Sequence, residues 1–164
     1  MRITVSGVQE MSEALLAAIE SGVRNGLETI GNRGHGLVVE GAPVGATTNL
    51  AHTVFAYLED DGAALTEIIT NGPPADVYGA PVEFGARPHF PPWEALIPWV
   101  KNKIPGAASD DQAARSIAFV IARKIARSGT QGAFMYRDAM QILEQEASGI
   151  LERAIAESCA AAGF

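Results

Sequence analysis

Three histidines, one cysteine and nineteen carboxylates are the side chains of this 164-residue chain that could support acid–base, nucleophilic or metal chemistry. Glu83 and His89 stand across a proline-rich bend. Such a pair could do general acid–base work in a small hydrolase or lyase. A glutamate near a histidine is also a common coincidence, and Glu83 then ends a strand and pairs with Arg87 or a neighbouring chain. His35 reads as part of a glycine loop, Gly34-His35-Gly36, His52 as part of a strand and His89 as part of a proline-rich loop. None has a Cys or a second His at ligand spacing, so no metal site is expected. Gly-x-Ser-x-Gly is absent, which removes the nucleophile elbow. No Gly-Lys-Ser/Thr follows Gly34-His35-Gly36, so it is not a phosphate loop. Cys159 is alone in an Ala-rich helical stretch and reads as a small packed residue. None of these residues makes a convincing catalytic signature, and a small hydrolase using Glu83 and His89 stands as the enzyme alternative.

A second group of residues could bind rather than react. Arg123-Lys124-x-x-Arg127 is a basic stripe suited to DNA phosphates, to an acidic surface on another subunit, or simply to water. The net charge of −7 is unevenly spread. Residues 1–92 hold four Lys/Arg against eleven Asp/Glu, whereas 93–164 hold eight of each. An acidic chain is a poor candidate for wrapping nucleic acid. One acidic end and one basic flank suit contact with copies of itself or with a charged partner. From Val77 to Lys103 the chain carries prolines at 81, 88, 91, 92 and 98 beside His89, Phe90, Trp93 and Trp99. Proline fixes φ and removes a donor, so this stretch cannot be an ordinary central strand. Stiff, irregular and aromatic backbone suits a docking surface, and it equally suits a crossover whose rings fill a core.

The elements that position these residues follow from periodicity and punctuation. Residues 2–6 read as a short opening strand, and Ser6 with Gln9 resembles a capping box. Val8, Met11, Leu15, Ile19, Val23, Leu27 and Ile30 form a helical stripe that Gly31-Asn32-Arg33-Gly34 should end. Gly22 and Gly26, four apart within it, either admit a close backbone or weaken the helix locally. Leu50–Leu58, Leu65–Thr70 and Asp76–Phe84 read as three strands of a meander, with an acidic Glu59-Asp60-Asp61-Gly62 turn after the first. Pro81 places the third strand at an edge or a bulge. A short helix covers Trp93–Lys103, kinked or started by Pro98. Ser109-Asp110-Asp111-Gln112 caps the next helix, which Gly129 closes. On it Ala114, Ile117, Ala118, Ile121 and Ile125 share one arc, roughly opposite the basic stripe. A long helix runs from about Met135 to Ala161, with Met140, Leu143, Ala147, Ile150, Leu151, Ala154 and Ile155 as its stripe.

The expected architecture is one α+β domain over 1–164, an antiparallel β-meander sheet of three to four strands packed by an N-terminal helix and C-terminal helices. One sheet face, carrying Phe55 and Tyr57, would need cover from a neighbour. No apolar run approaches the roughly 20 residues that span a bilayer. Met1-Arg2-Ile3-Thr4-Val5 lacks a signal-peptide pattern, so a soluble chain made in a cytoplasm is expected.

Val82-Glu83-Phe84-Gly85-Ala86-Arg87-Pro88-His89-Phe90-Pro91-Pro92, then Leu96-Ile97-Pro98-Trp99-Val100-Lys101, then Ala118 through Thr130 with Ala122-Arg123-Lys124-Ile125-Ala126-Arg127-Ser128-Gly129-Thr130, form an ordered set. This set resembles the tail-completion, or head–tail joining, proteins of long-tailed bacteriophages and prophages. The resemblance covers roughly residues 8–160 and is densest from 77 to 130. Gly45-Ala46-Thr47-Thr48-Asn49-Leu50 departs from the Thr-Gly-x-Leu usual in that family's loop. The resemblance implies a structural virion protein, with no enzymatic activity and no cofactor. It also implies a ring of copies, six being the expected number, at the neck or top of the tail. Its partners would be the head connector or adaptor and the tail tube or tail terminator proteins. DNA would pass through without specific binding, and no membrane is involved. A tail terminator or other minor virion ring protein is the nearest alternative. On this reading Glu83, Arg87, His89, Phe90, Trp93, Arg123, Lys124 and Arg127 lie at subunit or partner contacts. Glu59, Asp60 and Asp61 face the lumen or a partner ring, where carboxylates repel DNA phosphates.

Overall fold

Small residues mark where the helices of this chain meet. The computed structural model describes residues 13–45 and 49–164, so the expected opening strand, the capping box at Ser6, and Val8 and Met11 lie outside the described residues. In order, α1 spans Glu13–Gly41, α2 Asn49–His52, β1 Val54–Asp60, β2 Leu65–Asn71, α3 Gly79–Phe84, β3 Gly85–Ala86, α4 Ile97–Lys103, α5 Asp111–Ser128, β4 Thr130–Gln131 and α6 Met135–Ala161. Single 3-10 turns cover Ala75–Val77 and Trp93–Leu96. The class is α+β. Among the described residues the expected three- to four-stranded meander is corrected to two two-stranded sheets, the β1–β2 hairpin and the β3–β4 pair.

The third strand expected over Asp76–Phe84 is a 3-10 turn followed by α3. Pro81 falls in the first turn of α3, where a missing N–H breaks no intrahelical bond. Leu50 and His52 belong to α2 rather than to the first strand. Pro98 lies at the N-terminus of α4, and so it starts that helix instead of kinking it.

The chain divides into two compact units. Among the described residues, one takes 13–34, 56–69 and 141–164, and the other takes 35–45, 49–55 and 70–140.

In the first unit, glycines let other elements approach α1. A Cβ at Gly22 would stand 2.6 Å from the Ile155 Cα, and one at Gly26 would stand 2.8 Å from the Leu151 Cδ1. Both contacts are with α6, so close backbone approach explains this pair of glycines. The Glu67 carboxylate of β2 covers Gly31, while Ile69 of β2 and Leu143 of α6 cover Gly34. The expected stop at Gly31–Gly34 is therefore a packing surface, and the helix continues to Gly41. Ala18 and Leu143 are buried, with Leu15, Ile19, Val23, Leu27 and Ile30 half-buried beside the glycines. Arg24 pairs with Asp60 at 2.7 Å, and Arg33 grips both Glu146 oxygens at 2.9 and 3.1 Å. Both pairs are solvent-exposed, where screening and the ordering of long side chains leave little net stabilisation.

In the second unit, α5 presents Ala114, Ala118 and Ala122 as its fully buried line, with Ile117, Ile121 and Ile125 half-buried on the flanks. Val100 of α4, Ala107, Ala114 and Ala118 form the core, and Trp93, Leu96, Ile97 and Ile104 pack around it. The Asp110 carboxylate accepts from Gln112 N and Ala113 N at 2.9 Å each, capping α5. Gly129 closes it at φ 69°. Met135 and Ala139 are buried, whereas Met140, expected in the α6 stripe, is half exposed. Inside the same unit, His35 lies within α1 rather than in the expected loop, and its Nε2 meets the Val54 carbonyl at 3.1 Å.

Candidate partner-binding surface

The β3–β4 pair ties together the two stretches that carry the family resemblance. Gly85 lies opposite Gln131 and Ala86 opposite Thr130, antiparallel. The Thr130 hydroxyl accepts from Ala86 N at 2.9 Å. Gly85 at φ 81° would drive a Cβ into the Thr130 carbonyl, and Gly129 at φ 69° would drive one into the Ala86 carbonyl. Only glycine meets both demands, a left-handed conformation and a backbone within van der Waals reach.

Glu83 supplies the next link. It closes α3 and is 4% exposed. Its two oxygens accept from the backbone N–H groups of Tyr136 and Arg137, each at 3.0 Å. Phe134, at φ 55°, precedes α6 and has no side-chain acceptor to cap it. Glu83 therefore does the capping from a distant part of the chain, satisfying two otherwise orphan donors at the positive end of the helix dipole. Its carbonyl also accepts from Phe134 N at 3.1 Å. This corrects the expectation that Glu83 ends a strand and pairs with Arg87: it lies in α3, and its carboxylate is taken by the Tyr136 and Arg137 amides. His89 Nδ1 meets the Arg87 carbonyl at 2.8 Å, and among the described residues no hydrogen bond joins His89 to Glu83. Beside Glu83, Tyr136 donates to Asn71 Oδ1 at 2.7 Å. Burial and then the Glu83 charge push the Tyr136 phenol above its ordinary pKa.

Beyond the clamp, the proline-rich stretch stands at the surface. Arg87, His89 and Phe90 are exposed and Trp93 is half-buried. Phe90 and Trp93 both pack edge-on against Phe119 of α5, with ring centroids 6.0 and 6.4 Å apart. Trp93 also rests on the core cluster, so it anchors the stretch that Phe90 displays. Phe119 and the 64% exposed Val120 were not picked out in the sequence. The signal was present: both stand four residues before a cation, Arg123 or Lys124, on the arc assigned to polar side chains.

Arg123, Lys124 and Arg127 are all exposed. With Val120 and Ser128 they line an open depression of about 410 Å³ at the C-terminal end of α5. Among the described residues none of the three cations has a carboxylate within salt-bridge distance. The carbonyl end of a helix favours positive charge, which accounts for Arg127 in the last turn of α5. A second, apolar depression of about 290 Å³ includes Val44, Tyr78, Val82 and Trp99 in its lining.

At the hairpin, residues 59–64 are all exposed. Asp60 is held by Arg24 and by Gly62 N at 3.1 Å, which lowers its carboxyl below the usual range. Asp61 Oδ1 accepts from Ala63 N and Ala64 N at 2.9 and 2.7 Å, with the same effect on its carboxyl. Asp60 and Asp61 thus build the turn, and Glu59 has no part in those bonds. Phe55 and Tyr57 of β1 are 43% and 44% exposed.

Among the described residues no three His, Cys, Asp or Glu side chains are grouped to hold a metal, and no helix is long and apolar enough to cross a membrane. Compared with protein-family models, curated proteins and solved structures, the chain matches none.

Proposed function

We propose that this chain is a structural virion protein of the tail-completion kind, copies of which form a ring at the neck or top of a phage tail. The ring joins the tail to the DNA-filled head and lets DNA pass. One observation carries the reading: the stretches that resemble the family, 82–92 and 118–130, interlock through β3–β4 and display Phe90, Phe119, Val120 and the three cations at the surface. Exposed rings and arginines beside a rigid backbone suit subunit contacts, where such anchors often contribute about 2 kcal/mol or more each. The Glu83–His89 acid–base reading lacks this kind of support, because Glu83 is occupied at the α6 N-terminus.

Electron microscopy of particles lacking this protein is the test. Filled heads beside separate, complete tails support joining. Overlong tails favour a tail terminator, and normal virions refute both. Phe90→Ala should prevent joining while the isolated chain stays folded, since Phe90 is 53% exposed. An unfolded variant would make Phe90 a core residue.

A further inference from the structure

The second unit holds a cationic depression with an exposed apolar residue in its lining, and the first holds an exposed acidic turn. We propose that the depression formed by Val120, Arg123, Lys124, Arg127 and Ser128 receives the β1–β2 hairpin tip, residues 59–64, of a second copy of this chain. This rests on the ring reading and selects a partner-facing tip over a lumen-facing one.

Charge and shape both favour that occupant. Arg123, Lys124 and Arg127 lack carboxylate partners among the described residues. On the tip, Asp60 is occupied by Arg24 and the turn, but Glu59 and the second oxygen of Asp61 remain available. Ala63 and Ala64 give the same tip a small apolar side to set against the 64% exposed Val120. A space of about 410 Å³ takes a few side chains from a narrow turn. Three cations in a chain of net charge −7 also give weak attraction for DNA. A turn-to-groove contact is heterologous, and a heterologous contact builds a ring when its rotation closes.

Charge exchange between the two surfaces is the experiment. One variant carries Arg123→Glu, Lys124→Glu and Arg127→Glu. The other carries Glu59→Lys and Ala63→Lys, which leave Asp60 and Asp61 in place to build the turn. Circular dichroism confirms folding, and sedimentation equilibrium of the full chain at low salt measures association. Each variant alone should associate about 10- to 100-fold more weakly than wild type. An equimolar mixture of the two should recover most of that loss, because each reversed surface then meets its opposite. A wild-type chain that stays monomeric, variants that associate like wild type, or a mixture that fails to recover overturns the contact. So does binding of a duplex oligonucleotide that the groove variant loses, which would assign the groove to phosphates. If the variants still assemble and join heads to tails, the contact fails and the neck reading survives. If the protein is missing from the neck but charge exchange works, the neck reading fails and the contact survives.

Discussion

Replacing Glu83 by alanine tests whether one buried carboxylate holds the start of α6. The side chain is 4% exposed and accepts from Tyr136 N and Arg137 N at 3.0 Å. A hydrogen bond to a charged group contributes about 1.5–3 kcal/mol. The helix-dipole interaction adds up to about 2 kcal/mol and overlaps with that figure. Removing the carboxylate leaves two donors without a partner, so Glu83→Ala should cost about 3–5 kcal/mol. That is a large share of the roughly 5–15 kcal/mol available to a domain of ordinary stability. Glu83→Gln keeps one acceptor and should cost about half as much. Urea titration followed by far-UV circular dichroism measures both, and hydrogen exchange should show lost protection at the Tyr136 and Arg137 amides. A loss below about 1 kcal/mol for Glu83→Ala would refute the capping role. Unchanged stability with weakened assembly would instead return Glu83 to the partner contacts predicted from sequence.

Four further outcomes follow from the same geometry. Gly22→Ala should destabilise by about 2 kcal/mol or more despite alanine's better helix propensity, because its Cβ would stand 2.6 Å from the Ile155 Cα. Gly36→Ala, with nothing within 4 Å of its Cβ, should stabilise by about 1 kcal/mol, and thermal melts compare the two directly. Asp110→Ala should cost about 1 kcal/mol in urea titration through loss of the α5 cap. Glu67 has one buried oxygen without a hydrogen-bond partner, and burial, then the Glu28 charge, raise its carboxyl above the ordinary value. The folded chain thus holds this proton more tightly than the unfolded one. Its destabilising effect is absent below the ordinary carboxylate range and grows as pH rises through the raised value. Glu67→Gln should therefore stabilise at neutral pH, with the gain disappearing in acid, as melts across that range would show.

The outline of several elements was legible because their signals act within a few residues. Asp110 caps the helix that begins beside it, Gly129 ends that helix in a left-handed conformation, and Asp61-Gly62 forms the hairpin turn. The exposure of Arg123, Lys124 and Arg127 followed from the apolar arc on the same helix. The exposed turn at Glu59–Asp61 was equally legible as an acidic Asp-Gly turn.

Other features depended on residues far away in the chain. Gly31-Asn32-Arg33-Gly34 has the composition of a helix stop, yet Glu67, Ile69 and Leu143 pack over its glycines and α1 continues. The stretch before Phe84 has a strand's β-branched and aromatic residues, but Pro81 fits a first helical turn. Phe119 lies on the polar arc of α5 and becomes an aromatic hub only when Phe90 and Trp93 close on it. Sequence alone determined the Asp110 cap of α5, its end at Gly129 and the Asp61-Gly62 turn, since that capping and turn chemistry is local. Tertiary structure alone decided which glycines are contact surfaces and that Glu83 caps α6, since both depend on backbone brought close from more than 30 residues away.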